Sequence, residues 1–396
     1  MQASLLQQNA ASPTIETLIA AVDKVGPALS ARAADTEMHR RLPAETMRDL
    51  FDNGILRVFI PKRFGGYELE WGAHLALGRR IAHYCASTAW ITCVVGSHAT
   101  YVGRMDPQAQ EDVWGKSPDM LVSTGSVSRN VSVECVEGGY RVSGRWSFCS
   151  GVDHAGWVLL RASIANDEKQ TYFLFPRADF RIDDDWFVSG MSGTGSKSVV
   201  IDKAFVPAHR TLALGTLMAP NPPGAAVNSG YIYSYDFRPF SGTNLLGPII
   251  GGAEAVLLAY QDLLRTGTPG HSIDDVQTQL RLAESDAEIG AAVCLLDSLV
   301  ARLRDYGRDN IEVSAQQNIA LIRDRTFAAR LCFNAAERLV TSLDQSVILS
   351  EHPIQRCFRD LGGMIQQIGV NWDRNMADVG KATFGQQTDI PFLNTQ

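Results

Sequence analysis

The stretch best suited to chemistry runs from Tyr140 to Trp157 and reads YRVSGRWSFCSGVDHAGW. Apolar and polar residues alternate as in a half-buried strand, and Gly144 allows a bulge. The two-residue period predicts that Trp146 and Phe148 share one face. Ser150, which a glycine follows, could hydrogen-bond a planar ring such as a flavin. An aromatic core strand ending in a Ser-Gly turn would account for the same residues.

A second candidate is the glycine-rich segment GMSGTGSKSVVID, residues 190–202. Its G-x-G precedes a strand rather than opening a helix, so it is neither a dinucleotide-binding fingerprint nor a P-loop. A glycine-rich hairpin turn accounts for the glycines. Thr194, Ser196 and Lys197 could equally face a ring or a phosphate. The residues alone leave both interpretations open.

The eight histidines form no metal-binding motif, and the chain has neither G-x-S-x-G nor H-E-x-x-H, so hydrolase and metalloenzyme classes have no support. His98 follows an apolar helical stretch, beside Gly96 and Ser97. We assign His98 to the lining of a pocket, with a buried structural histidine as the alternative. The histidines to which we assign no role are His39, His74, His83 and His271.

The elements that must position these residues change character along the chain. Residues 1–119 predict a helical domain, with helices from Ile15 to Gly26-Pro27, from Pro43 to Asn53, and from Trp71 to about Tyr101. Residues 120–225 change to a period of two, and five or six strand-length runs predict a small β-barrel or sandwich. The stretch at 219–230, APNPPGAAVNSG, is the predicted linker.

Residues 226–396 return to the helical period. Candidate helices lie at 244–265, 273–306, 313–344 and 353–382. Four long antiparallel segments with short joints predict a helix bundle.

Composition narrows the class of protein. The 396 residues, 45% of them hydrophobic, can bury a large core, and 36 basic against 43 acidic residues without basic runs argue against nucleic-acid or anionic-membrane partners. Seven cysteines without a C-x-x-C pair predict a reduced cytoplasm rather than a disulfide framework or a zinc site. The leader MQASLLQQNAASPT lacks the features of a signal peptide, and no run approaches the roughly 20 apolar residues of a membrane span.

Three segments, in this order and spacing, carry a family resemblance: SGRWSFCSGVDHAGWVLL, MSGTGSKSVVIDKAFVPAHR and HPIQRCFRDLGG. They resemble the acyl-CoA dehydrogenase superfamily, and more closely the oxygenase components of two-component flavin-dependent aromatic monooxygenases. The similarity covers nearly the whole chain, including the FGG loop at 64–66. It implies a mainly α fold with a central β-domain: an N-terminal helical domain, a small β-barrel and a C-terminal four-helix bundle. It also implies a homotetramer assembled through that bundle.

The resemblance separates two kinds of chemistry. In the dehydrogenases a Trp-Ile-Thr segment lies on the flavin, and the aligned residues here are Phe148, Cys149 and Ser150, which keep the hydroxyl. Many dehydrogenases place a catalytic Glu after the Arg-Asp of the last helix, and that position falls at Ile368, which cannot act as a base. An acyl-CoA dehydrogenase-type oxidoreductase is therefore the alternative function, and a non-catalytic flavin-binding protein is the second alternative.

The monooxygenase branch implies the cofactor and the partners. A separate NAD(P)H-dependent flavin reductase would supply FADH2 or FMNH2. The reduced flavin would react with O2 to give a C4a-hydroperoxide, which would hydroxylate a small aromatic substrate of the phenol or indole type.

Residue roles follow from the same resemblance. Ser150 would hydrogen-bond near N5 of the flavin, and Trp146 and Phe148 would wall the ring. His98 aligns with a family histidine that would polarise or deprotonate a phenol. A second family histidine aligns with Gln367, which cannot take a proton at neutral pH and so leaves room for an indole-type substrate. The catalytic assignments are thus His98, Ser150 and Gln367; the flavin contacts are Ser123, Thr124, Ser126, Trp146, Phe148, Ser150, Thr194, Ser196 and Lys197; the substrate-pocket residues are His98, Ser126, Ile368 and Trp372.

Overall fold

The computed structural model describes residues 13–164, 170–267, 272–349 and 352–390. His271 and the first 12 residues of the leader lie outside the described residues.

The chain begins with helices that pack into one apolar core. They are α1 (Ile15–Ala31), α2 (Ala33–Met38), α3 (Ala44–Asp52), α4 (Ala73–Ala82), α5 (Ala86–Trp90), α6 (Ala99–Gly103) and α7 (Pro107–Trp114). The predicted end of the first helix at Gly26-Pro27 is wrong, because α1 continues to Ala31. Its buried Gly26 lies against Tyr84, where a Cβ would meet the ring at 2.3 Å, so close packing rather than termination explains this glycine.

The predicted helix from Trp71 to Tyr101 is interrupted. Between α5 and α6 the backbone forms a π-type turn at Ile91–Val95 and a 3-10 turn at Gly96–His98. Such local changes of helical pitch are frequent at functional sites. Here they orient the side chain of His98 towards strand β1 (Val122–Gly125) of the following domain.

The strands confirm the change of period after Met120. They are β1 (Val122–Gly125), β2 (Val127–Val136), β3 (Gly139–Cys149), β4 (Trp157–Ser163), β5 (Gln170–Pro176), β6 (Arg181–Asp183), β7 (Lys197–Pro207) and β8 (Thr211–Ala213). In the described part of the chain one sheet has the order β1-β4-β5-β8 and the other β2-β3-β7-β6. The pair β1-β4 is parallel, and the remaining pairs are antiparallel.

The sheet that contains β4 and β5 separates two cores. Val158 and Leu160 of β4 and Phe173 of β5 point into the β-domain core, whereas Leu159 and Tyr172 belong to the core of the helical domains. This alternation follows from the two-residue period of a strand. The sheet therefore presents one face to the helices that carry His98.

The remaining helices follow the β-domain. They are α8 (Leu214–Met218), α9 (Tyr231–Ser234), α10 (Leu246–Thr266), α11 (Val276–Arg308), α12 (Ala315–Val340), α13 (Pro353–Ile365) and α14 (Trp372–Thr383). One described stretch, Arg238–Thr266, is long and apolar enough by composition to cross a membrane, but 72% of its apolar window is buried inside the protein, as in a core helix.

The predicted helix at 353–382 is wrong in one respect, because a turn at Gln366–Val370 divides it into α13 and α14. The side chain of Asn371 caps α14 by accepting the N–H of Arg374 at 3.2 Å. Arg325 of α12 holds the turn by donating from Nε to the carbonyl of Gly369 at 2.8 Å. Local capping and a tertiary contact thus override the continuous helical period.

Candidate active site

Strand β1 positions two polar groups on its opposite faces. The Ser123 hydroxyl is fully buried and donates to the carbonyl of Ser150 at 2.8 Å. The next residue, Thr124, points the other way, and its hydroxyl lies 3.1 Å from Nε2 of His98. One strand therefore connects the Ser150 turn with the histidine.

Ser150, Ser196 and Thr194 form a hydroxyl cluster. The hydroxyl of Ser196 lies 2.7 Å from that of Ser150 and 2.7 Å from that of Thr194. Trp90 of α5 donates from its indole N–H to Ser150 Oγ at 3.3 Å, and the backbone N–H of Gly151 donates to the carbonyl of Thr194 at 2.8 Å. The structure thus brings together three residues that the sequence predicted in two separate segments.

The prediction that Trp146 and Phe148 share one face is wrong. The bulge expected at Gly144 is present, but a second irregularity lies between Trp146 and Cys149, and Phe148 has a left-handed backbone, φ +64°. These features turn Phe148 away from the face of Trp146. Trp146 keeps the inward face of the strand and is completely buried in the β-domain core, where its indole N–H donates to the carbonyl of Arg161 at 2.8 Å. With no exposed surface, it cannot wall a ligand.

Phe148 instead projects outward, with 59% of its surface exposed. Its ring makes an edge contact with Trp186, with ring centroids 5.9 Å apart. A non-glycine residue in the left-handed region costs about 1–2 kcal/mol and is most often retained where the site needs it. The left-handed backbone thus places an exposed aromatic side chain directly before the Cys149-Ser150 pair.

Lys197 is buried in an ion pair, which argues against its predicted contact with a ring or a phosphate. Its ammonium lies 3.0 Å from Asp153 Oδ1 and 3.3 Å from Asp184, and only 8% of the side chain is exposed. The charge of Lys197 is used to neutralise two carboxylates beside the hydroxyl cluster. A buried ion pair of this kind holds the start of β7 against the turn that follows Ser150.

The glycines of G-T-G have a packing role. Residues Ser192–Thr194 form a 3-10 turn rather than a hairpin, and a Cβ on Gly193 would lie 2.4 Å from Thr36 and 2.8 Å from the Ser87 hydroxyl. Gly195 adopts φ +52°, a conformation that favours glycine. The turn therefore packs closely against α2 and α5, and this packing positions Thr194 and Ser196 next to Ser150.

His98 is buried and held in one orientation. Its Nδ1 lies 3.0 Å from the carbonyl of Val122, which can only accept, so Nδ1 carries the proton and Nε2 is the free acceptor that faces Thr124. Burial lowers the pKa of His98 to about 4, against the opposing effect of the Val122 hydrogen bond. The imidazole is consequently neutral at physiological pH and presents a lone pair.

Four residues with predicted catalytic or substrate-pocket roles lie away from His98: Gln367, Ile368, Trp372 and Ser126. Gln367 accepts the N–H of Gly369 within its own turn, and Ile368 is 55% exposed. Trp372 begins α14 and packs on α12, with its ring 6.4 Å from that of Phe327. Ser126 lies on the exposed surface. In the described part of the chain, no hydrogen bond, ion pair or ring contact joins these four residues to His98.

The sequence pattern does not identify two residues next to the site, Trp90 and Asn244. Trp90 lies in an apolar region where small residues occupy nearly every face, so no periodic signal separates it from core residues. Asn244 lies far away in sequence and donates from its amide to the Ser97 hydroxyl at 3.0 Å, beside His98. Contacts of such long sequence separation leave no local pattern.

The hydroxyl cluster and its surroundings fit a flavin. Hydroxyl groups that donate and accept suit the polar edge of an isoalloxazine, and the exposed ring of Phe148 beside Trp186 offers an aromatic surface to its plane. Helices on both sides of a central β-domain, with this site between the β-domain and the first helical domain, define the acyl-CoA dehydrogenase-like class of flavoprotein.

Comparison with known proteins agrees with this class. The acyl-CoA dehydrogenase N-terminal domain matches residues 16–114, and the acyl-CoA dehydrogenase C-terminal domain matches residues 245–372. The flavin-dependent monooxygenase oxygenase subunit HsaA of Rhodococcus jostii (strain RHA1) is 32% identical over 347 residues, which cover 86% of this chain and 91% of that protein. The oxygenase component of an FADH(2)-dependent resorcinol hydroxylase from Rhizobium sp. (strain MTP-10005) is 28% identical, covering 93% of this chain and 94% of that protein.

Among solved structures, the 3-HSA hydroxylase from Rhodococcus sp. RHA1 superimposes with a TM-score of 0.89 at 29% identity, over 97% of this chain and 100% of that chain. The chain therefore belongs to the oxygenase components of flavin-dependent monooxygenases, within the acyl-CoA dehydrogenase superfamily. It is an oxidoreductase that uses reduced flavin and O2. The resemblance stated from the sequence, and the fold class that it implied, are confirmed.

Proposed function

We propose that this oxygenase component hydroxylates a small phenol- or indole-type aromatic compound at the junction of the hydroxyl cluster and His98. A separate NAD(P)H-dependent reductase would supply the reduced flavin. We also place the protein in the cytoplasm, as a homotetramer assembled through its C-terminal helices. The substrate, the source of flavin and the assembly all remain parts of this proposal.

The observation that carries the proposal is the pair of contacts made by β1. Ser123 holds the turn of Ser150, and Thr124 meets His98. Trp90 and His98 also lie in one helical region, eight residues apart along the chain. A cofactor held at the hydroxyl cluster and a ring placed at His98 would therefore be neighbours.

Bound reduced flavin would activate O2 and supply an electrophilic oxygen atom. We assign Ser150 and Ser196 to the polar edge of the flavin and Phe148 to its plane. Their hydrogen bonds to Trp90 and Thr194 are preformed, so the donors need no rearrangement when charge develops on the ring.

His98 would act on the substrate. Its Nε2 is unprotonated at neutral pH and is already hydrogen-bonded by a hydroxyl, so a phenol that displaces or shares Thr124 could donate a hydrogen bond to this nitrogen. The phenol would pass its proton to Nε2 as the oxygen atom is transferred, because positive charge developing on the ring then makes the phenol far more acidic. An indole needs no such step, so Gln367 in place of a second histidine is compatible with either substrate type.

The test mixes the protein with anaerobically reduced FMN or FAD and then with isotopically labelled O2 in the presence of phenols and indoles. We expect label in a hydroxylated aromatic product. Reduction of the protein's flavin by an acyl-CoA thioester, without oxygen incorporation into any aromatic compound, would instead support the dehydrogenase alternative.

A further inference from the structure

A polar group lies between the helix-facing side of the sheet and α6, next to His98. Along β4 and β5, Arg161 pairs with Tyr172, and both alternate with residues that point into the β-domain core. Arg161 and Tyr172 therefore lie on the same face as Thr124. Tyr101 of α6 covers them, with its ring 5.9 Å from Tyr172 and 6.1 Å from His98.

The guanidinium of Arg161 has no partner in the described residues. Its Nε is buried without a hydrogen bond, and neither an ion pair nor a ring contact occupies the remaining nitrogens. The fully buried Arg104 nearby shows the usual solution, since it donates to the carbonyls of Leu217, Ile232 and Ala219. An arginine stays charged in proteins, so a half-buried guanidinium with an unpartnered Nε is suited to bind an anion.

The two tyrosines suit the same anion. Burial raises the pKa of both Tyr101 and Tyr172, and the positive charge of Arg161 opposes that rise. Both phenol groups therefore stay protonated and can donate hydrogen bonds. Thr124, Tyr101 and Arg161 each retain some accessible surface, so none of the three is sealed in a core.

The distance between Thr124 and Arg161 would allow a single small molecule to contact both residues. Thr124 pairs with Leu159, and Arg161 follows two residues later on β4. Two residues along a strand and one strand across separate the Cα atoms of Thr124 and Arg161 by about 8 Å. An aromatic ring at His98 and Thr124 would place a short acidic side arm within reach of the guanidinium.

We propose that Arg161, helped by Tyr172 and Tyr101, binds a carboxylate on the aromatic substrate, so that the enzyme acts on aromatic acids with a short side arm. The inference rests on the proposed function, because it takes the ring to lie at His98. Arg161 would orient the ring so that one carbon faces the flavin.

The test measures binding without oxygen transfer, by anaerobic calorimetry on the protein loaded with reduced flavin. The probes are two matched pairs: 4-hydroxyphenylacetate with 4-hydroxyphenylacetamide, and indole-3-acetate with indole-3-acetamide. We expect the acid of at least one pair to bind about 10- to 100-fold more tightly than its amide, as charge-assisted bidentate hydrogen bonds predict. If no acid binds better than its amide, the proposal is overturned.

Arg161→Met should abolish the preference: the affinity for the acid should fall, and the affinity for the amide should change by no more than about 2-fold, because the guanidinium has no partner among the described residues to lose. Arg161→Lys should keep part of the preference for the acid, because lysine supplies the positive charge but not the planar, bidentate geometry of the guanidinium. Arg181→Met is the matched control: this arginine lies on the same domain, pairs with Asp183 and is exposed, so the preference should persist. Equal weakening of acid and amide in Arg161→Met would also overturn the proposal.

The phosphate of the flavin is another source of negative charge. The affinity of reduced FMN and FAD is therefore measured for the same variants. A loss of flavin affinity in Arg161→Met, without an acid preference in the wild type, would assign Arg161 to the cofactor instead. An acid preference that depends on Arg161 without oxygen incorporation would contradict the proposed hydroxylation and leave the carboxylate site standing.

Discussion

At the residue scale, the two hydrogen bonds of His98 define its protonation state. The carbonyl of Val122 requires a proton on Nδ1, and the pKa of about 4 keeps Nε2 unprotonated over most of the working range of pH. A histidine with its usual pKa near 6.5 would be half charged in a mildly acidic medium. Burial therefore keeps Nε2 available as a hydrogen-bond acceptor but lowers its basicity, so the proton of the phenol moves only as the oxygen atom is transferred.

The first prediction concerns this acceptor. His98→Gln should lower the hydroxylation rate of a phenol at saturating substrate by about 100-fold or more, because glutamine cannot take the proton. The rate for an indole-type substrate should fall far less. In the wild type, the contribution of His98 should persist from pH 8 to about pH 5 and decline only towards its pKa of about 4. An equal loss for both substrate types would return His98 to a structural role.

The second prediction concerns Ser150. Its hydroxyl joins Trp90 and Ser196, so Ser150→Ala removes the centre of the cluster at the proposed polar edge of the flavin. We expect a larger fraction of reducing equivalents to be lost as hydrogen peroxide, measured as peroxide formed per product. Ser147→Ala is the control, because Ser147 bonds Ser198 on the far side of β3. If the amount of peroxide formed per product is unchanged in Ser150→Ala, Ser150 does not have the proposed role.

Residue identities were predicted better than residue orientations. Ser150, Thr194 and Ser196 were recognised from small polar residues beside glycines, and they do meet in one cluster. Trp146 lies on the strand face that packs between the two sheets, and Phe148 leaves that face because its backbone turns left-handed. Nothing in the residue types signals that conformation, since phenylalanine rarely adopts it.

At the element scale, α13 is tied to the turn that carries Thr194. The buried Asp360 of α13 accepts the backbone N–H of Met191 at 2.5 Å. Close packing supports this contact, since a Cβ on Gly190 would lie 2.1 Å from the carbonyl of Arg359. Burial raises the pKa of Asp360 to about 6, so ionisation of its carboxyl opposes folding.

The third prediction follows from that raised pKa. Between about pH 4 and pH 6 the native state binds a proton that the unfolded state has released, so the contribution of Asp360 to stability falls as pH rises through this window. Asp360→Asn keeps an oxygen that can accept the Met191 N–H. It should raise the free energy of unfolding at pH 8 by up to about 3 kcal/mol and change it little at pH 4.

Denaturant unfolding at the two pH values measures this difference. The control is Asp262→Asn, an exposed carboxylate paired with Arg265, which should change stability by less than about 1 kcal/mol at either pH. If Asp360→Asn destabilises the protein at pH 8, the Met191 contact requires the charged carboxylate.

At the scale of the whole molecule, buried histidines link stability to pH. His74 lies between Phe59 and Trp71, with ring centroids 4.7 and 4.4 Å away, and neither ring nitrogen has a partner among the described residues. Burial lowers its pKa to about 3. The unfolded chain therefore binds protons at His74 and His98 before the native protein does.

The fourth prediction is a loss of stability on acidification. A lowered histidine pKa means that stability falls as pH drops below about 6.5, and for His74 the loss could reach about 5 kcal/mol by pH 3. His74→Leu removes the titrating group from an apolar site and should flatten the decline between pH 6.5 and pH 4. Thermal unfolding across this range tests the prediction, and an unchanged decline would show that other groups control it.

The sequence by itself determined the order of helices, strands and helices, because hydrophobic periodicity is a local property that each element must satisfy to bury one face. It also determined the family and the residues around Ser150, through motifs whose order is preserved. Tertiary structure alone decided that Trp146 is core, that Lys197 is paired with Asp153, and that a turn divides the last predicted helix. It alone placed Arg161 on the sheet face that carries Thr124 and Tyr172, below Tyr101. That position depends on strand register and on which side of a sheet the helices pack, and the spacing of nearby residues specifies neither.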